Sequence, residues 1–188
     1  MAANTVAIAL VHHPVVNKIG EIIGSAVTNL DLHDIARVAR TYGLGKYYLT
    51  TPYDDQKDLV QEILDHWQTG HGSTYNPARK EALSIVAVRD SIDAVIQELE
   101  EQHGSRPLLI ATTAKTTSKT LGYEAVREKI KENTPILLLF GTAHGLSKEI
   151  MDSVDHVLPP VEGGTDYNHL PVRAAAAIIT DRLLGRMK

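Results

Sequence analysis

Apolar residues in this chain follow two rhythms that alternate from end to end. Short runs rich in aliphatic, β-branched or aromatic residues cover Val6 to Val11, Lys46 to Thr50, Leu83 to Val88, Leu108 to Ala111, Ile136 to Phe140 and His156 to Leu158. Each is short enough for a strand, and most lack the apolar–polar alternation of a half-exposed one. Between them the spacing turns helical: Leu32, Ile35, Ala36, Val38 and Ala39; then Leu59, Ile63 and Leu64; then Ile92, Val95, Ile96 and Leu99. Two more helices are predicted over Tyr123 to Lys131 and Ala174 to Leu184. Asn29 or Asp31, Asp54 or Asp55, and Ser91 stand where N-caps belong, while Gly43-Leu44-Gly45, Gly70 and Gly104 to Pro107 stand where helices stop. Strand and helix in repeated succession predict an α/β fold, a mostly parallel sheet with helices on both faces. Without a repeat or a linker, residues 1–188 read as one domain.

Composition narrows the function. The 188 residues suffice for a substantial core, and 43% hydrophobic with 22% charged residues is a globular balance. The absence of cysteine excludes disulfides, thiolate catalysis and Cys-ligated zinc. No apolar run is long enough to span a bilayer and the start carries no basic, signal-like region, so a cytoplasmic protein with no membrane partner is expected. A formal charge of -4 does not suit a general nucleic-acid binder. Charge is uneven, however. Asp90 to Gln102 carries five acidic residues and no basic one, whereas Thr112 to Lys131 sets Lys115, Lys119, Arg127, Lys129 and Lys131 against Glu124 and Glu128.

Candidate chemistry gathers in the last third. The strand at Ile136 to Phe140 runs into Gly141-Thr142-Ala143-His144-Gly145-Leu146, and His156 to Leu158 runs into Pro159-Pro160 and a glycine pair. Asp166 to Arg173 then leads into four alanines. Backbone-exposing loops at the carboxyl ends of strands are where open α/β folds bind ligands. Neither G-x-G-x-x-G nor G-x-x-x-x-G-K-[ST] is present, so the common phosphate cradles do not apply. No metal is expected: His12 and His13 are adjacent on a strand end and face opposite ways, His66 and His71 lack ligand spacing, and H-E-x-x-H is absent.

These segments carry a resemblance. Leu139 to Leu146, Leu158-Pro159-Pro160, and Tyr167 to Ala176 resemble the second and third motifs of the SPOUT RNA methyltransferases. Asn29 to Arg40 resembles the first motif, N-x-G-x-x-x-R, of the ribose-methylating SpoU branch. The resemblance spans the whole chain and is closest to a bacterial subfamily without an added RNA-binding domain. It implies an α/β domain with a C-terminal trefoil knot, S-adenosylmethionine as cofactor, RNA such as tRNA as substrate, and a homodimer. The implied reaction is ribose 2′-O-methylation. The alternatives are methylation of an RNA base, of the guanosine N1 type, or a non-catalytic RNA-binding module that keeps the fold.

The resemblance also distributes roles. Arg37 falls at the motif's arginine, where a guanidinium can hold phosphate and position the acceptor; a solvated helix charge is the competing reading. Asn168 falls at an amide position that orients substrate or cofactor, and an N-cap for the alanine-rich helix is equally open to it. Leu139, Phe140, Leu158, Pro159, Val161 and Leu170 are expected to wall an adenine slot. Main chain at Gly141, Thr142, Gly145 and Gly163 is expected to read the nucleoside, with Tyr167 and Asn168 alongside. Asn29, His33 and Arg40 in the first segment, with Tyr75, Arg79 and Lys115, are the RNA-contact candidates; Lys119 is a further phosphate contact or a plain surface cation. Gly70 to Lys80 offers an aromatic, amides and adjacent cations suited to single-stranded RNA, or forms a polar loop turned at Asn76-Pro77. The first motif departs from its pattern: Asp31 stands at its asparagine, His33 at its glycine and Asn29 two residues early, so Asp31 and His33 could serve a different acceptor atom. Pro171 occupies a place where relatives carry a small hydroxyl residue.

Overall fold

A computed structural model describes residues 5–186. Its elements are β1 (Val6–Val11), β2 (Val15–Val16), β3 (Ile22–Ile23), α1 (Asn29–Thr41), β4 (Lys46–Thr50), α2 (Asp54–Gln68), α3 (Gly72–Tyr75), α4 (Pro77–Leu83), β5 (Val86–Arg89), α5 (Ile92–His103), β6 (Leu108–Ala111), α6 (Tyr123–Lys131), β7 (Ile136–Gly141), α7 (Lys148–Ser153), β8 (His156–Val157) and α8 (Val172–Leu184). Six strands form one sheet in the order β5-β4-β1-β7-β6-β8, every pair parallel. The fold is the predicted α/β type.

The strand sequences explain the layers. In β1, Val6, Ile8 and Leu10 face one core, while Ala7, Ala9 and Val11 face the other. In β7, Ile136, Leu138 and Phe140 join the first core, Leu137 and Leu139 the second. Residues along a strand alternate between faces, so two covered faces demand a continuous apolar run. α1, α2, α6 and α8 cover the larger-residue face, through side chains such as Ile35, Val60, Val126 and Ile179. α5 and α7 cover the alanine-rich face through Val95, Leu99 and Ile150.

The structure corrects several boundaries. Thr28, not Asn29 or Asp31, is the N-cap of α1: its hydroxyl accepts from Asp31 N at 3.2 Å and donates to Asp31 Oδ2 at 2.7 Å. Neither Asp54 nor Asp55 caps α2; the cap position is Tyr53, without a side-chain bond. Leu83 closes α4 instead of opening a strand, because Pro77 sits in the first helical turn and the Asn76 side chain caps Arg79 N at 3.0 Å. The polar segment from Gly70 is thus largely helical. Val38 and Leu59 are only partly covered, Leu59 being 41% exposed. No helix among the described residues is long and apolar enough to cross a membrane.

Candidate functional site

The sheet reverses its winding between β1 and β7. From β1 the chain crosses to β4 over one face with α1, and from β7 it crosses toward β8 over the other with α7. A crevice outside the carboxyl ends of strands opens at such a reversal. The loop after Gly141 borders this reversal, and the loops after Ala111 and Val157 leave beside it along the same edge.

The loop after β7 is tightly built. A Cβ at Gly141 would stand 2.7 Å from the Leu146 nitrogen and 3.0 Å from the Gly145 carbonyl carbon, so the loop folds onto its own backbone there. Gly145 has φ +112°, and Ala143 takes a left-handed φ of 51° despite its side chain. Such strain in a non-glycine residue concentrates at ligand-binding turns. Thr142 donates from Oγ1 to Val11 O at 2.9 Å and lies 2.5 Å from Ser25 Oγ. The β2–β3 hairpin clamps the same loop: Val16 N donates to Gly145 O and His144 N to Val16 O, both at 3.0 Å.

The loop after β8 carries the remaining slot candidates. Leu158 is buried, Pro159 and Val161 are half-buried, and Tyr167 and Leu170 are exposed. Asn168 Nδ2 donates to Ala114 O at 3.3 Å, tying this loop to the one after β6. Two readings change. Leu139 and Phe140 point into opposite cores and present no side-chain surface, so only their main chain can reach a ligand. Asn168 is not the cap of the alanine-rich helix; α8 starts at Val172, with Pro171 in the cap position. A proline sets the extended φ that position needs, which accounts for its presence.

α1 meets the same region through Arg173. Its Nη1 lies 3.0 Å from Asp31 Oδ1 and its Nε 3.5 Å from Asp34 Oδ2, so the third motif is ion-paired to the first. Asp31 is buried and holds both Thr28 and Arg173, which removes it from service as a base beside His33. Arg37 is exposed on α1, one turn after His33. His33 lies edge-on to Trp67 at 5.6 Å, and the Arg79 guanidinium stacks over the same indole at 4.6 Å. Burial, reinforced by the charges of Arg79 and Arg37, holds the His33 imidazole below the usual histidine range against the pull of Asp34. His33 Nδ1 and Arg79 Nε are buried without hydrogen-bond partners. Two RNA-contact candidates therefore share one indole.

The other candidates scatter. Asn29 is exposed at the start of α1, and Arg40 pairs with Glu81 at 2.6 Å. Tyr75, 78% exposed, stacks on His71 at 6.2 Å. Lys115 is exposed in the loop after β6. Lys119 is neither a free phosphate contact nor merely solvated: its ammonium donates to Met151 O, Asp152 O and Val154 O at 3.3, 2.6 and 2.9 Å, closing the carboxyl end of α7.

Four residues with a place in this region are given no site role by the sequence: Ser25 and Trp67, His12, which enters there only as a metal ligand, and Arg173, which lies within the third motif without a role of its own. His12 is fully buried at the end of β1, with Nδ1 3.0 Å from Ser25 Oγ. Burial lowers its pKa from the ordinary histidine value, opposed by the Asp31 charge and by backbone carbonyls at Ser25 and Ala26. The one signal available was a histidine ending the most apolar strand. Among the described residues, no three His, Asp or Glu side chains converge as a metal site would require.

Comparison with known proteins assigns the family. Residues 5–185 match the model of a SAM-dependent RNA methyltransferase family. A tRNA (guanine-N(1)-)-methyltransferase of Oleidesulfovibrio alaskensis is 48% identical over 177 residues, 94% of this chain and 41% of that protein. A protein of the same name from Nitratidesulfovibrio vulgaris is 46% identical, again over 94% of this chain and 41% of the relative. The chain thus spans about two fifths of these relatives' length. An uncharacterized protein of Aquifex aeolicus is 42% identical over 99% of this chain and 91% of its own length. Among solved structures, the SpoU methyltransferase AviRb from Streptomyces viridochromogenes, in complex with the cofactor AdoMet, matches with a TM-score of 0.60 at 15% identity, over 95% of this chain and 56% of that one. The TrmH/SpoU tRNA modifying enzyme of A. aeolicus matches with a TM-score of 0.57 at 14% identity, over 96% and 74%. The fold is that of the SpoU enzymes, and with a family model covering nearly its whole length the chain belongs to the SAM-dependent RNA methyltransferases.

Proposed function

We propose that this chain methylates tRNA from S-adenosylmethionine, with the guanine N1 nitrogen as acceptor. The observation that carries the reading is the convergence of three backbone-rich loops at the carboxyl ends of β6, β7 and β8, joined by Asn168 to Ala114. The names of two relatives support tRNA and guanine N1, although each belongs to a protein more than twice this length. A ribose 2′-hydroxyl is the second reading, favoured by the exposed Arg37 at the SpoU arginine position and by the SpoU-type fold.

The residues fit the cofactor. The strained turn at Ala143 and the backbone contact at Gly141 expose main chain from 141 to 145. Pro159, Val161 and Leu170 supply apolar surface for an adenine, and Tyr167 and Asn168 border it. When bound, S-adenosylmethionine supplies an electrophilic methyl group. Arg37 holds an RNA phosphate and orients the acceptor, while Asn168 fixes the loop after β8 against the loop after β6. Asn29, His33, Arg40, Tyr75, Arg79 and Lys115 are proposed along the RNA path, with Arg79 and His33 presented by Trp67.

Further proposals follow from the resemblance. α8 lies between α1 and α6 although the strand before it, β8, is at the far edge beyond β6, a return path that supports a C-terminal knot. A homodimer, a single catalytic domain over 1–188 and a cytoplasmic location are proposed with it. The test is incubation with unmodified tRNA transcripts and methyl-labelled donor, followed by nucleoside mass spectrometry. Labelled 1-methylguanosine is expected. A 2′-O-methylated nucleoside replaces the first reading by the second, and RNA binding without donor uptake overturns both in favour of a binding module.

A further inference from the structure

A run of hydrogen bonds links the end of β1 to the loop after β7, and one assignment of its protons satisfies all three contacts. Thr142 has one hydroxyl hydrogen, and Val11 O, a carbonyl 2.9 Å away, can only accept it. Toward Ser25 Oγ, at 2.5 Å, Thr142 must therefore accept. Ser25 spends its own hydrogen there, so it accepts from His12 Nδ1 at 3.0 Å. The relay runs His12 to Ser25 to Thr142 to Val11. It holds His12 as the Nδ1–H tautomer, with Nε2 buried and without a partner.

This is a costly way to fill a fully buried position at a strand end. A buried polar atom without a partner loses its hydration with nothing in return, and an aliphatic side chain would avoid that. What the imidazole adds is direction. Its Nδ1–H orients the Ser25 hydroxyl, which orients Thr142, the first residue beyond the backbone contact at Gly141. Main-chain bonds flank the relay: Ser25 N donates to His12 O at 2.8 Å, and beyond the loop Ser147 N donates to Pro14 O at 3.3 Å.

We infer that His12 and Ser25 are positioning residues for the methyl donor: their relay to Thr142 holds the loop after β7 in the conformation that receives the nucleoside. The inference rests on the cofactor-loop reading given above. No bond is made or broken by the relay.

Calorimetric titration of S-adenosylmethionine into wild type and into His12→Gln, His12→Asn and Ser25→Ala tests it, with thermal melting to check folding. An asparagine amide nitrogen falls where Nδ1 stands and keeps the donor to Ser25; a glutamine amide reaches the Nε2 position and does not. His12→Gln and Ser25→Ala are expected to weaken donor binding about five- to ten-fold, the worth of one neutral hydrogen bond. They should speed amide exchange over residues 142–147 and raise the donor KM more than they lower kcat. His12→Asn should restore affinity to within about two-fold, well inside that single-bond effect. Should His12→Gln fail to fold, Ser25→Ala alone carries the test. Donor affinity unchanged in Ser25→Ala overturns the inference. So does loss of kcat in both His12 variants with affinity retained, which would make Nε2 a proton acceptor instead. Wild type that takes up no donor overturns the cofactor-loop reading itself, and the relay with it.

Discussion

At the scale of single residues, two histidines held below their ordinary pKa bind the protein's stability to pH. Burial is the leading cause for both His12 and His33. In the unfolded chain they take up protons near pH ~6.5, but in the folded chain only at lower pH. Between those points the unfolded state binds more protons, so stability rises with pH and is lost as pH falls below about 6.5. Urea unfolding followed from pH 7.5 to 5.5 should show a falling midpoint, and His12→Gln should flatten the fall. A midpoint that rises on acidification would contradict the buried, neutral ring. The same histidine marks where legibility ended. Gly141, Thr142 and Asn168 could be singled out because each lies on a recognisable segment at a strand end. Ser25 and Thr142 meet across 117 positions of sequence, and nothing local to either announces the other.

At the scale of elements, the long periodic segments were legible and the short ones were not. The sheet strands from β1 to β7 show as apolar runs, and the helices α1, α2, α5, α6 and α8 carry enough apolar positions for their period to show; β8, only two residues, was legible through the Pro-Pro and glycine turn that follows it. The hairpin strands have two residues each and α3 has four, fewer than one helical repeat can establish. α7, at six residues, is built less by its own sequence than by what closes its ends. Ser147 caps its start, and Lys119 from a distant loop gathers three carbonyls at its finish. Lys119→Ala should therefore act on α7: a loss of about 1 kcal/mol, the scale of a helix-end interaction, with faster amide exchange over residues 148–154. RNA affinity should be little changed. A fall in RNA affinity with α7 undisturbed would return Lys119 to the role of phosphate contact that its loop position suggested.

At the scale of the molecule, a chain of net charge -4 must separate its charges to hold a polyanion. The separation is local. α5, with Asp93, Glu98, Glu100 and Glu101, makes the alanine-rich face acidic, and α2 on the opposite face is acidic as well, so the cations of that face gather at the end of α1, with Arg37 and Arg40, and on α4, with Arg79 and Lys80. Not every cation on that side is equally free. Arg40 is engaged by Glu81 and Arg173 by Asp31 and Asp34, which leaves Arg37 and the Trp67-stacked Arg79 nearest to His33. Two phosphate contacts would give a shallow dependence on salt, each adding about 0.7–0.9 to the slope of log affinity against log salt. Arg37→Ala should weaken RNA binding alike for all sequences and reduce that slope by about one contact, leaving the melting temperature near wild type because the side chain is exposed. Arg79→Ala should reduce the slope similarly but also destabilise the fold, since its guanidinium lies over Trp67 against the core. Lys148→Ala, on α7 across the sheet, removes the same formal charge and serves as the control. If all three substitutions shift the slope equally, RNA responds to total charge and no face of the sheet is the binding face. A loss confined to Arg37 and Arg79 places the polyanion on the α1 side, within reach of the loops where α8 begins.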